Sequence, residues 1–362
     1  MGKVADILQN GIEQGLHTGA QIYVSLNGSS QIDFAIGESR SGVPMSTHSI
    51  IQWYSSGKPL TAIAIAQLLD QNKLELSDPI SRYIPAFSGD GRDAITIQHL
   101  LTHTAGIRPA DKLPADLDWP IALERIAGTN LEKDWPAGEK AGYSSMAGWF
   151  LLGEAIQNIV DRPFDEFMRR EVLEPLGMHD TWLRLPFEKF RNYGDQIAPM
   201  FQLKDGTREL AELQDSFGMA ICRPGSSARG PVRELGLFYE MLLNRGTVQG
   251  GRFLEASTAD YFTTPRRTGM FDQTFLSRLD WGLGFLLNSH PHDPEKSPYG
   301  YGRYASPQTF GHSGVQSSCA FADPKHQLVV AWVCNCMRGE RAHQARQRAI
   351  NNAVYEELGL TS

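Results

Sequence analysis

The chain is poor in features that mark several large protein classes. Cysteine is scarce, with only Cys222, Cys319, Cys334 and Cys336 in 362 residues. No ligands stand at finger or knuckle spacing, so no zinc site is expected. The N-terminal run Met-Gly-Lys-Val-Ala-Asp-Ile-Leu lacks the uninterrupted apolar region of a secretory signal. A cytoplasmic location and reduced core thiols are therefore expected. Cys334 and Cys336 stand two apart in a β-like run, which predicts one shared strand face. Asp6 stands where an N-myristoylation signal carries Ser or Thr. No apolar run is long enough to span a bilayer, and the apolar stretch 60–69 reads as a core helix. Positive charge is in deficit: 34 Lys and Arg against 41 Asp and Glu give a formal net charge of −7. That leaves no basic face for nucleic acid or for an anionic membrane surface. Internal repeats and low-complexity segments are lacking too.

What is present is an ordinary globular composition, 41% apolar and 21% charged, which excludes a disordered chain. Its length allows two domains, or one large domain with an insertion. Residues 3–14 place Val4, Ile7, Leu8 and Ile12 at helical spacing, with Gly15 as a stop. The β-like runs 21–26 and 31–36 flank Asn27-Gly28, a strong hairpin signal. Helices are predicted over 59–72, 146–160, 164–173, 232–244 and 344–358. Strands are predicted over 317–322 and 327–333, around the turn Asp323-Pro324-Lys325-His326. Strands at both ends with helices between them predict an α+β fold, in which one sheet is assembled from the two termini. The boundaries read as 1–76 with 191–362 for the sheet domain and 77–190 for a mostly helical lobe. A ligand site is expected in the cleft between them.

The run Trp53-Tyr54-Ser55-Ser56-Gly57-Lys58-Pro59-Leu60 carries the first chemical signal. Ser55 and Lys58 are three apart at a predicted helix start, so both side chains project from one face. Pro59 supports that placement, because proline is tolerated in a first helical turn. Backbone N–H groups there can hold an oxyanion, and a desolvated lysine can take a serine proton. Alone, Ser-x-x-Lys describes an ordinary N-cap followed by a surface lysine just as well. Two further motifs decide between these readings: Tyr143-Ser144-Ser145, before a helix, and His312-Ser313-Gly314, beside the C-terminal hairpin.

In this order the three motifs resemble those of the class C β-lactamases and the related family VIII carboxylesterases. Ile95-Thr96-Ile97-Gln98-His99-Leu100-Leu101-Thr102-His103-Thr104-Ala105-Gly106 is similar to that family's helix-and-turn segment. Glu174-Pro175-Leu176-Gly177-Met178 with Thr181, and Phe310-Gly311-His312-Ser313-Gly314, extend the likeness over nearly the whole chain. The resemblance implies an antiparallel sheet flanked by helices and an acyl-enzyme on Ser55. It implies that Lys58 keeps the network polarised and that Tyr143, lowered in pKa by Lys58, carries protons. The backbone N–H groups of Ser55 and Val315 would hold the oxyanion, and Ser145, His312, Ser313 and Gly314 would face the substrate. It implies no cofactor and no metal.

Two departures bear on substrate. Ser145 stands where β-lactamases carry Asn, and His312 where they carry Lys. A mostly neutral imidazole is a poor anchor for a β-lactam carboxylate. Both changes favour a carboxylesterase, amidase or acyltransferase on small ester or amide substrates. An amine or alcohol can replace water as the acyl acceptor. The motifs leave that choice, the ester or amide preference and the oligomeric state open, and a β-lactamase or D-aminopeptidase stays an alternative.

Rival readings fare worse. An α/β-hydrolase elbow at Ser313 would need glycine at Val315, and only a short tail follows for an acid and a histidine. His290, His292 and Asp293 lie in a Pro-rich run that reads as a solvated loop rather than a metal site. His99 and His103 stand one helical turn apart without the Glu of a zinc protease, and the resemblance makes them packing or hydrogen-bonding residues. An inactive binding module would have no need of intact Ser55, Lys58 and Tyr143. Trp53, Tyr54, Trp119, Trp149, Tyr301 and Tyr304 are candidate cleft aromatics, with Trp53 and Trp149 expected to be structural.

Overall fold

The computed structural model describes residues 2–288 and 297–361. The run His290, His292 and Asp293 lies outside the described residues. Helix α1 (Lys3–Glu13) is followed by Gly15 at a φ of 69°, which ends it and leads into β1 (Gly19–Leu26). Asn27 and Gly28, both at positive φ, form the tight turn into β2 (Ser29–Arg40), and β3 (Val43–Pro44) completes that edge. The other strands come from the far end of the chain: β4 (Leu286–Leu287), β5 (Phe310–Gly314), β6 (Ser318–Asp323) and β7 (Leu328–Cys334). Their spatial order is β4-β5-β6-β7-β1-β2-β3, with every pairing antiparallel. The termini meet at β1 and β7, where Ala20 faces Cys334 and Leu26 faces Leu328.

Helices cover both faces of the sheet, so its central strands read as nearly unbroken apolar runs. In β7, Val329, Ala331 and Val333 join one core, and Val330, Trp332 and Cys334 join the other. The first core also holds α2 (Lys58–Asp70), α3 (Ala147–Val160) and the apolar side of α4 (Val232–Leu243). The second packs against α1 and the closing helix α5 (Glu340–Glu357). Every residue of α2 from Lys58 to Ala66 is buried, which fits its lack of a polar face. Among the described residues no helix is long and apolar enough to cross a membrane.

Two local expectations need correction. The predicted helix 164–173 begins as Phe164–Phe167 and widens to a π-turn at Met168–Leu173, which keeps Met168, Val172 and Leu173 all buried. Cys334 and Cys336 do not share a strand. Between them the Asn335 carboxamide accepts N–H bonds from Thr18 and Gly19 and donates to the carbonyls of Glu38 and Ser39. The chain bends there, and Cys336–Met337 pairs in parallel with the separate strand Phe201–Lys204. All four thiols are unpaired; Cys222 is partly exposed and the others are buried.

Candidate active site

The short strand Ile51–Gln52 pairs with Arg229–Gly230, and buried Trp53 then donates from Nε1 to the Gly230 carbonyl at 3.0 Å. Tyr54, at a φ of 50°, opens a 3₁₀ turn (Tyr54–Gly57) that runs directly into α2 at Lys58. The turn puts Ser55 and Lys58 on one face, as their spacing predicts. Ser56 is turned away: its Oγ donates to the His312 carbonyl at 3.2 Å and lies 2.9 Å from Ser318 Oγ. β5 can run beside this turn only because residue 314 is glycine. A Cβ there would lie 2.2 Å from the Trp53 carbonyl oxygen. Gly314 therefore packs against Trp53 and does not line the cavity described below.

Two side chains converge on Ser55 Oγ. Lys58 Nζ donates to it at 2.9 Å and to the Gly225 carbonyl at 2.7 Å, and the Tyr143 hydroxyl donates at 3.0 Å. Lys58 is wholly buried, and burial pushes its ammonium down to about 7; Asp111 opposes that fall and Arg223 adds to it. Tyr143 departs from the expectation that Lys58 lowers its pKa. Burial drives the phenol well above its usual range, the Ser55 hydrogen bond works the other way, and Asp111 and Asp272 raise it further. The desolvation of a phenolate outweighs the neighbouring amine, so Tyr143 is held as a phenol and a donor.

Two carboxylates that sequence reasoning missed hold this arrangement. Asp111 accepts from Ser144 Oγ at 2.9 Å and from the backbone N–H groups of Ser145, Met146 and Ala147 at 2.8, 3.0 and 2.7 Å. It caps α3 from outside the helix and fixes the motif that carries Tyr143. Asp272 accepts from the Tyr143 N–H at 3.2 Å through Oδ1, while Oδ2 takes the buried guanidinium of Arg267 at 3.0 Å. His99 caps the helix Ile97–Leu101, its Nδ1 accepting from the Thr96 N–H at 3.2 Å. The helix ends before His103, which has a φ of 57°, so the two histidines are not one turn apart on a single helix. His103 Nδ1 accepts from the Ser144 N–H at 3.2 Å, and its ring lies 4.6 Å from that of Tyr143.

Ser55 opens into a cavity of about 370 Å³. Ser145, His312, Ser313 and Val315 line it. Of the six aromatic candidates only Tyr54 does. Trp53 and Trp149 are core residues, Trp119 borders another hollow, and Tyr301 is buried with its hydroxyl on the Leu286 carbonyl. Tyr304 packs beside Tyr355. The walls the sequence did not disclose are Met146, Phe275, Trp281, Leu286 and Tyr299. Among the described residues no Asp, Glu, Lys or Arg lines the space. His312 Nδ1 donates to the Ser313 carbonyl at 2.9 Å, and its Nε2 has no partner among the described residues. Burial, with Lys58 adding to it, pushes that imidazole down to about 3, so it is neutral at ordinary pH.

Comparison with known proteins places this chain in a lineage. The family model described as Beta-lactamase matches residues 4–355. Protein Rv1367c of Mycobacterium tuberculosis is 28% identical over 329 residues, covering 81% of this chain and 79% of its own. The structure of a family VIII carboxylesterase superposes with a TM-score of 0.78 at 23% identity, over 98% of this chain and 96% of its own. EstCE1, described as a hydrolase with promiscuous acyltransferase activity, gives a TM-score of 0.80 at 20% identity, over 98% and 97%. The two structures share the fold, and the match to the family model runs through all three motifs that surround Ser55. The chain belongs to the beta-lactamase family.

Proposed function

We propose that the protein is a serine hydrolase that cleaves carboxylic esters or amides through an acyl-enzyme on Ser55. The observation that carries this reading is Ser55 Oγ held 2.9 Å from Lys58 Nζ and 3.0 Å from the Tyr143 hydroxyl at the floor of a cavity. A buried amine near neutrality has a free base form at working pH, which can turn its lone pair to the serine proton while still donating to Gly225. As Oγ bonds to the substrate carbonyl carbon, the serine proton passes to Nζ and the carbonyl electron pair moves onto oxygen. The backbone N–H groups of Ser55 and Val315 hold that oxyanion. Collapse expels the alcohol or amine, which takes the Tyr143 proton, and the Lys58 ammonium restores the phenol. Water then attacks the ester, and the same groups return its proton to Ser55.

The cavity walls favour esters of uncharged, apolar acids. A substrate carboxylate would meet no charged side chain among the described residues, and the neutral His312 offers an acceptor rather than a cation. Lacking a charged donor costs a carboxylate roughly 1.5–3 kcal/mol, a tenfold to hundredfold handicap. A second reading is acyl transfer to an alcohol or amine, which the same apolar walls favour by receiving an organic acceptor better than water. The test compares kcat/KM for p-nitrophenyl butyrate and nitrocefin, each with and without added alcohol or amine. The ester is expected to be cleaved far faster. Nitrocefin turnover at or above the ester rate would restore a β-lactamase, and a low ester rate that rises with acceptor would select the transferase.

A further inference from the structure

Two buried arginines beside Tyr54 carry positive charge that no described carboxylate meets in a salt bridge. Arg229 is 1% exposed and Arg223 8%. Arg229 Nε donates to the Ser227 carbonyl at 3.4 Å, and its Nη1 and Nη2 have no acceptor among the described residues. Arg223 Nη1 donates to the Ala115 carbonyl at 3.4 Å, and its Nε has no acceptor among those residues. Neither forms a salt bridge to a described carboxylate. Arg229 feels the charge of Arg223, and both act on Tyr54, which is among the residues that line the Ser55 cavity. The carboxylate that acts on Arg223 is Glu212, an exposed residue. Burial first, and then Arg223, pushes Arg229 down to about 9, which leaves it charged at neutral pH. Two like charges taken out of water are unfavourable unless a counter-charge offsets them.

We propose that Arg223 and Arg229 together bind a small inorganic anion of the halide class behind the Tyr54 wall of the Ser55 cavity. The free Nη groups of Arg229 and the Nε of Arg223 supply N–H donors, and one monovalent anion cancels half of their combined charge. A substrate carboxylate is a poorer fit, because neither arginine is among the residues that line the cavity. The site bears on catalysis through one loop. Residues 223–229 carry both arginines and the Gly225 carbonyl that accepts from Lys58, and the Arg223 charge helps to hold Lys58 down. An anion at this site raises Lys58 toward its ordinary value. This last consequence rests on the reading of Lys58 as the base.

The test has two arms. In the first, crystals are soaked in sodium bromide, and melting is followed in sodium chloride against sodium gluconate at equal ionic strength. Anomalous density at the free nitrogens of Arg229 and Arg223 is expected, with a saturable halide-specific rise of roughly 2 °C or more in Tm. Arg229→Met and Arg223→Gln should each abolish that rise. Arg229→Met should itself melt no lower than wild type in gluconate, because it removes an unpaired buried charge. No bromide at the arginines, or the same halide response in wild type and both variants, overturns the site. In the second arm, saturating chloride should move the acid limb of wild-type kcat/KM to higher pH by several tenths of a unit. Bromide bound with an unmoved limb supports the anion site and counts against Lys58 as the base, so the two readings fail separately.

Discussion

At Ser55 the hydroxyl oxygen takes a hydrogen bond from Tyr143 and lies 2.9 Å from Lys58, whereas Ser56 and Ser313 are engaged elsewhere. A fluorophosphonate should therefore add one adduct to wild type, to Ser56→Ala and to Ser313→Ala, and none to Ser55→Ala, as read by intact mass. An adduct surviving on Ser55→Ala would move the nucleophile. Lys58 makes the pH dependence specific. Its folded value of about 7 lies below its unfolded value of about 10.5. As the base it must be neutral, so kcat/KM should rise with pH through about 7. A flat profile from pH 5 to 9 would contradict the assignment. Stability follows from the same shift. Between pH 7 and 10.5 the unfolded chain binds the extra proton, so stability rises with pH across that window. Lys58→Met should be inactive yet more stable, and its advantage at pH 7 should exceed that at pH 9 by about 2 kcal/mol. An equal advantage at both values, measured by urea unfolding, would mean that Lys58 is not depressed. His312 lies at about 3, so acidifying the assay within the folding range does not create the charged β-lactam anchor that its sequence position suggests.

At the scale of elements, α3 starts without a capping side chain of its own, and its first N–H groups go to Asp111 from outside the helix. That one carboxylate ties helix stability to the position of Tyr143. Asp111→Ala should cost about 1–2 kcal/mol of stability as a lost cap. It should lower kcat at least tenfold as Tyr143 drifts from Ser55, and Asp111→Asn should recover part of each. An Asp111→Ala protein with full kcat would show that Asp272 and His103 hold the Tyr143 motif without Asp111. The 59–72 helix, the 27–28 turn and the C-terminal hairpin follow from local patterns, because the forces that decide them act over a few residues. The contact between β5 and the Ser55 turn does not, although Gly314 marks it: only the packed structure puts the Trp53 carbonyl where a side chain would sit.

For the whole molecule, the two ends of the chain are neighbours. Lys3 Nζ donates to Glu356 at 3.2 Å, the Val4 N–H donates to Glu357 at 3.0 Å, and β1 pairs with β7. A circular permutant that joins residues 361 and 2 by a short linker and opens at the exposed turn Asp205-Gly206 should keep the sheet and the site. Phosphonate labelling of Ser55 at the wild-type rate is expected. A folded permutant that labels slowly would show that the order of assembly, not the final packing, sets the geometry at Ser55. The anion site is also a property of the whole, since it brings the loop 223–229 against Tyr54.

The sequence by itself determined the fold class, the hairpin, the central helix and the three motifs that meet at Ser55, because periodicity, turn chemistry and short spacing are local. Tertiary structure alone decided what surrounds them. Phe275, Trp281 and Tyr299 become cavity walls, and Asp272 reaches Tyr143 across 129 positions of chain, a distance over which no local pattern is written. The same holds for the acid–base poise of the site. Lys58 and Tyr143 are recognisable as a pair from sequence, but burial sets which of them gives up a proton near neutrality. Burial is a sum over many distant residues.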